Sequence, residues 1–174
     1  MRSRNRSGLS VLLPVLVLLC ATMGCTSKSD VIAFNDRVAK QTNAIEADGK
    51  AFVELITDSI KSQPPKTAPL KEYIEKKKKL VATLREEARG FKVPDSQNAK
   101  DFLKYHLEIL DELDRDYREE FPKLLKILSD PFFSPPEKAK KIMELTTKSE
   151  LKEKTEKLKA AQRKLADEFG YQLK

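Results

Sequence analysis

The chain has 174 residues, of which 35% are charged and only 7% are aromatic, and its formal net charge is +7. This length suits one domain that buries a core without disulfides or metals. Arg2, Arg4 and Arg6 precede every acidic residue, which leaves 31 basic against 27 acidic residues in the rest of the chain. Such a mild excess argues against a dedicated nucleic-acid binder, which would concentrate basic and aromatic residues on one face.

The composition, rich in Leu, Lys, Glu and Ala and poor in Gly, is typical of long amphipathic helices. The first 24 residues have a different character, that of a secretory signal peptide. A start with three arginines is followed by the apolar run 9–19, which only Ser10 and Pro14 interrupt. An uncleaved membrane helix is the alternative, but the strongly apolar part is too short to span a bilayer comfortably.

The apolar run closes with Ala21-Thr22-Met23-Gly24-Cys25. These residues resemble the lipobox of bacterial lipoprotein precursors, with the small residue Gly24 before Cys25 and with Thr22 where leucine is commonest. The resemblance covers only this N-terminal part of the chain. It implies that a diacylglyceryl group is attached to the Cys25 sulfur and that the chain is cut between Gly24 and Cys25. In many bacteria a further acyl chain, such as palmitate, is added to the new amino terminus.

A lipid anchor of this kind implies a location in the cell envelope. Two or three acyl chains hold a protein firmly, because each buried methylene contributes about 0.8 kcal/mol. Thr26, not Asp, follows the cysteine. By analogy, the location would be the outer membrane facing the periplasm in a diderm, or the outer face of the cell membrane in a monoderm. The alternative is an ordinary secretory signal with a fortuitous cysteine.

After a lipidated tether (25–29), the domain 30–174 is expected to be helical throughout. Ser29 or Asp30 can cap a first helix that runs to about Ser62, where two prolines stop it. Its stripe recurs at three- and four-residue steps. A bend is expected at Gly49, and the stripe comprises Val31, Phe34, Val38, Ile45, Phe52, Leu55, Ile56 and Ile60.

Two further helices follow in the sequence. Thr67 can cap the second helix, which ends at Gly90, and Asp95 or Ser96 opens the third. Pro122 removes a backbone donor from the third helix, so a kink or restart is expected just before it.

The fourth helix follows a loop, Asp130-Pro131-Phe132-Phe133. The sequence Ser134-Pro135-Pro136-Glu137 predicts a capping box at its start, and the polar stretch 146–149 could divide it. Its predicted apolar stripe includes Met143. Four helices joined by short loops predict an antiparallel up-and-down four-helix bundle. An elongated helical hairpin that dimerises is the alternative.

Few residues suggest chemistry. His106 is the one histidine and falls on the apolar stripe of the third helix, where a packed residue is the expected role. Familiar zinc sites need further His or Cys ligands, and a di-iron motif fails because residue 103 is Leu103. Non-covalent haem held by His106 and Met143 is the alternative. We expect no catalytic residue, metal site or cofactor besides the lipid on Cys25.

Three surface features have an expected role. An acidic stretch of the third helix is expected to be a solvated face. The run Lys76–Lys79 is expected to be solvated too, although contact with anionic lipid or an envelope polymer is an alternative. Phe132 and Phe133 either plug one end of the bundle or contact a partner. The acidic stretch comprises Asp111, Glu112, Asp114, Asp116, Glu119 and Glu120.

These features predict a membrane-anchored bacterial lipoprotein whose domain is a non-enzymatic binding or structural module of the cell envelope. Its expected partners are the membrane, through the lipid, and an envelope protein or anionic envelope polymer; nucleic acid is not expected. The alternative is a bundle that binds a ligand or cofactor in the core around His106.

Overall fold

The computed structural model describes residues 27–47, 49–146 and 150–173, and these ranges are helical without strands. The predicted all-α class is therefore confirmed. The predicted signal peptide and the lipobox-like sequence, including Gly24 and Cys25, lie outside the described residues. The elements are α1 (Lys28–Glu46), α2 (Gly49–Lys61), α3 (Ala68–Arg89), α4 (Gln97–Arg115), a π-helical turn (Asp116–Glu120), α5 (Phe121–Ser129), α6 (Pro135–Thr146) and α7 (Leu151–Phe169).

The first helix begins earlier than predicted. Ser27 is its N-cap: the Ser27 hydroxyl accepts the Asp30 amide at 3.2 Å, and the Asp30 carboxylate accepts the Ser27 amide at 3.4 Å. The prediction that Ser29 or Asp30 is the cap was wrong, because Asp30 closes this capping box from inside the first turn. Its hydrogen bonds from Ser27 lower the pKa of the Asp30 carboxyl. The N-cap of α1 thus lies two positions after Cys25 in the sequence.

The predicted first helix is two helices, since α1 ends at Glu46 and α2 begins at Gly49. Glycine is among the poorest helix formers, so α2 begins at Gly49, where a bend within one continuous helix was predicted. The interruption predicted before Pro122 is confirmed as the π-helical turn. Helix α3 ends at Gly90, as predicted, and Ser96 caps α4 through the Ala99 amide at 3.3 Å.

The start of α6 agrees with its predicted capping sequence. Pro135 is its first residue, and the Glu137 carboxylate accepts the Ser134 amide at 2.8 Å. The prediction that Met143 belongs to the apolar core was wrong, because its side chain is 66% exposed. In the described part of the chain, none of the helices is long and apolar enough to cross a bilayer.

Helix α4 contacts α1, α3 and α7, helix α1 also contacts α3 and α7, and α4 and α7 share the most extensive interface. Phe34 of α1 and Phe102 of α4 meet edge to face, with ring centroids 6.0 Å apart. Helix α2 contacts α3 and α6, and α5 contacts α6. The completely buried apolar side chains come from several helices and include Val31, Val38, Leu70, Leu110, Leu124, Leu128 and Leu165.

Candidate functional site

His106 lies completely buried in a hydrogen-bond network that joins α1, α3 and α4. Its Nε2 is 2.8 Å from Oε1 of Gln41. The Gln41 amide donates to the Leu84 carbonyl at 3.2 Å and to the Glu87 carboxylate at 3.1 Å. Burial lowers the pKa of His106 to about 4, so the ring is neutral at pH 7. An amide oxygen can only accept, so Nε2 carries the proton.

This network makes His106 a packed residue, as expected from its place on the apolar stripe. Nε2 is already hydrogen-bonded, and Nδ1 is buried with no hydrogen-bond partner among the described residues. Met143 is on α6 with an exposed side chain, so the two residues considered for haem ligation do not form a site. Within the ranges that the structure describes, no group of three or more His, Cys, Asp or Glu side chains could hold a metal ion.

The acidic stretch is not the solvated face that was predicted, because three of its carboxylates are buried. Glu112 is only 3% exposed; it accepts a hydrogen bond from Arg115 and one of 2.5 Å from the Lys154 ammonium. The hydrogen bond to Glu112 raises the pKa of Lys154. Since Lys154 belongs to α7, this ion pair joins α4 to α7. Helical periodicity did not place an acid in the interior, because the matching cation lies 42 residues away along the chain.

Asp114, the second buried carboxylate, joins α4 to α3. It accepts hydrogen bonds from Arg85 at 3.0 Å and from Arg118 at 2.9 Å. Burial alone would raise the pKa of Asp114, but the hydrogen bonds and charges of the two arginines outweigh it and hold the pKa below its usual value. The third buried carboxylate, Asp116, is the first residue of the π-helical turn.

A cleft of about 600 Å³ opens beside that turn, between α2, α5, α6 and α7. The completely buried Leu124 and two aromatic rings line this cleft. Phe52 contacts Phe121 edge to face, with centroids 5.2 Å apart. Leu145 and Leu151 complete the apolar lining. We call this cavity the π-turn cleft.

Charged residues line the rest of the π-turn cleft. Its two cations are already paired: the Lys123 ammonium donates to Glu120 at 2.7 Å, and Arg115 donates to Glu112 and lies 4.0 Å from Asp116. Glu119 is exposed and has no ion pair within the described ranges. A ligand in the cleft can therefore pair with the Glu119 carboxylate more readily than with Lys123 or Arg115.

The backbone of the π-helical turn has an excess of hydrogen-bond acceptors. The Phe121 amide donates to the Asp116 carbonyl, not to the Tyr117 carbonyl that an α-helix would give it. The next residue, Pro122, has no amide hydrogen. The Tyr117 carbonyl therefore accepts no hydrogen bond from the Phe121 amide, which would close an α turn, or from residue 122, which would close a π turn. Turns of this kind occur frequently at functional sites.

The two candidate partner-contact residues differ in exposure. Phe132 is 90% exposed, and its amide donates to the Asp130 carboxylate at 2.8 Å, so it does not plug the end of the helices. Phe133 is partly buried, with the Lys141 ammonium 4.6 Å from its ring centroid.

The lysine run Lys76–Lys79 is not a single patch. Lys77 is buried, with 3% of its surface exposed, and its ammonium is 3.4 Å from the Ala44 carbonyl. Its three neighbours lie partly or fully exposed. The expectation that this run is solvated is therefore wrong for Lys77 and agrees with the structure for the other three lysines.

Comparison of the chain with protein-family models, with curated proteins and with solved structures gives no match. Sequence reasoning missed the π-turn cleft, whose walls come from segments far apart in the chain. The one available signal was Pro122, which predicted the interruption of the helix but not the cavity beside it.

Proposed function

We propose that the chain is a lipid-anchored module of the bacterial cell envelope that binds an envelope component and has no enzymatic activity. One observation carries this proposal: the lipobox-like sequence Thr22-Met23-Gly24-Cys25 stands immediately before a helical domain whose first cap is Ser27. Lipid on Cys25 would hold such a domain at the membrane without a spanning helix. Envelope protein and anionic envelope polymer are the two partner classes.

We further propose an up-and-down four-helix bundle, with α1–α2, α3, α4–α5 and α6–α7 as its four rods. Contacts between distant residues support this arrangement. Near one end, the Lys28 ammonium donates to the Gly170 carbonyl at 2.6 Å, and the Ser96 hydroxyl donates to Glu168 at 2.7 Å. The pairing of Glu112 with Lys154 joins the other ends of α4 and α7, as antiparallel neighbours require.

This arrangement gives the module an orientation. Ser27 is two residue steps from Cys25, and a chain extends at most about 3.6 Å per residue, so the Ser27 end would stay within about 7 Å of the lipid. Helix α4 has 19 residues and begins near that end. At 1.5 Å per residue, the π-turn cleft would be held roughly 28 Å farther out. The cleft would then face the aqueous side of the envelope.

The alternative function, a ligand or cofactor in the core around His106, has weaker support. His106 Nε2 is bonded to Gln41, and the residues that line the cleft do not include either of them. A ligand in that core would have to break the network that joins three helices.

Replacement of the anchor cysteine tests the proposal. We expect Cys25→Ser to abolish incorporation of a palmitate analogue and to release the domain from membranes. Cys20→Ser is the matched control, because this cysteine lies in the same apolar segment and follows Leu19, not a small residue. Mass spectrometry of the mature amino terminus should find a diacylglyceryl cysteine at residue 25. Unchanged labelling and membrane association in Cys25→Ser would refute the anchor.

A further inference from the structure

We propose that the π-turn cleft binds a small organic cation with an apolar body, of the arylalkylammonium class. Two independent features of the cleft indicate this ligand: its size with its apolar lining, and the sign of its uncompensated charge. The proposal does not depend on lipidation of Cys25, so it can fail while the anchor stands, and the reverse.

The size and floor of the cleft suit a small molecule. Its volume of about 600 Å³ lies in the range of small-molecule pockets, roughly 300–1,000 Å³. Leucine side chains and the rings of Phe52 and Phe121 provide apolar contact for the body of the ligand. An aromatic ring also attracts a cation over its face. The floor thus accepts both parts of the proposed ligand.

The charge of the cleft favours a cation over an anion. An anion would have to compete with Glu120 for Lys123 or with Glu112 for Arg115, because both cations are already hydrogen-bonded to carboxylates. Glu119 has no such partner in the described part of the chain and can pair with a ligand cation at no cost to an existing ion pair.

An ammonium group has three donors and no acceptor, so it can donate to the Glu119 carboxylate while the body of the ligand contacts the leucines and aromatic rings of the cleft. A bare metal ion is a poorer match, since no suitable cluster of ligands exists among the described residues.

The test compares two ligands that share one apolar body. The probe is 2-phenylethylammonium, and its matched anion is 3-phenylpropionate, with the same ring and methylenes but the opposite charge. The full-length wild-type chain, as isolated from expressing cells, is placed in nanodiscs of neutral phospholipid and titrated by ligand-detected NMR, with empty nanodiscs as the blank. We expect saturable binding of the ammonium compound and binding of the carboxylate at least about fivefold weaker.

Two variants locate the binding. Glu119→Gln should weaken binding of the ammonium compound by about threefold to fivefold, the range expected for one partly exposed charge. Phe52→Leu keeps apolar bulk but removes the ring, and it should weaken the same compound by about threefold. Glu156→Gln is the matched control, because this exposed acid of α7 pairs with Lys159 away from the cleft.

Each outcome decides for or against the proposal. Selective binding that Glu119→Gln weakens and Glu156→Gln leaves unchanged supports it. Equal affinity for the two probes, absence of binding by the folded wild-type chain, or equal effects of the two glutamine variants would overturn it. Circular dichroism of each variant separates loss of binding from loss of fold.

Discussion

The middle of the helical core and the end that carries the π-helical turn bury polar groups in different ways. In the middle, His106 and Gln41 form the buried, neutral part of a network whose one carboxylate, Glu87, is exposed. At the end that carries the π-helical turn, the buried carboxylates of Glu112 and Asp114 form ion pairs with cations from α3, α4, the turn itself and α7. The neutral network avoids the large cost of burying a charge, whereas the ionic end offsets that cost with several charge-assisted hydrogen bonds.

The ionic end can keep an open cleft because its buried ion pairs join the helices at defined points. They do not fill the space between the helices with apolar side chains. The neutral network lies among tightly buried residues, including Phe102 and Leu110. The free energy of unfolding should therefore depend on pH through His106 in the middle of the core. At the end with the π-helical turn, it should depend on the ion pairs of Glu112 and Asp114.

The largest effect predicted for a buried polar group concerns His106. The unfolded chain binds the imidazole proton with a pKa of 6.5, whereas the folded protein binds it only near 4. Stability from this residue is complete above pH 6.5 and is lost as the pH falls toward 4. The expected loss is about 3 kcal/mol in the free energy of unfolding. Urea denaturation at a series of pH values measures it.

The control for this prediction is His106→Gln, which can still donate a hydrogen bond to the Gln41 oxygen but cannot titrate. Carboxylates also begin to titrate near pH 4, so the informative quantity is the difference between wild type and variant. That difference should shrink or reverse as the pH falls, because only the wild type loses the histidine contribution. Parallel stability curves from pH 7 to 4 would show that the ring is not buried in the neutral form.

The second prediction addresses the ionic end. Glu112→Ala leaves Lys154 and Arg115 without their shared carboxylate. Removing one partner of a buried pair typically costs 3–5 kcal/mol, but both cations here are partly exposed, so we expect about 2 kcal/mol. Chemical denaturation at pH 7 measures the loss, and Glu156→Ala should change stability by less than about 0.5 kcal/mol.

A double variant sharpens this second prediction. Glu112→Leu with Lys154→Met replaces the pair by apolar groups of similar volume and should recover most of the lost stability. If the double variant is as unstable as Glu112→Ala, the energy lies in packing and not in the unpaired cations.

The sequence allowed much of the helical layout to be predicted, because local signals act over a few residues. Gly90 ends α3, Ser96 caps α4, and the prolines at Pro122 and Pro135 mark interruptions or starts. Errors arose where two local signals compete. Ser27 and Asp30 are both good capping residues, and the structure uses one as the cap and the other as its reciprocal partner.

The candidate site was much less predictable than the helices. The sequence predicts Glu112 as a surface residue, but in the structure it is paired with Lys154. The sequence predicts Phe52 as a core residue, but in the structure it lines the cleft. Both facts depend on contacts between residues far apart in sequence, which periodicity does not encode. Met143 shows the same limit, because its place on an apolar stripe did not ensure that another helix covers it.

The smallest predicted effect separates exposed apolar surface from core. Phe132→Ser should change the free energy of unfolding by less than about 0.5 kcal/mol, because a side chain that is 90% exposed loses almost no contact when it is replaced. Phe102→Ala, at a completely packed position, should cost about 3–5 kcal/mol in the same urea titration and calibrates the scale. If Phe132→Ser is costly as well, another surface covers the ring in solution. A second copy of the chain would be the first candidate, and sedimentation of wild type against Phe132→Ser would detect it.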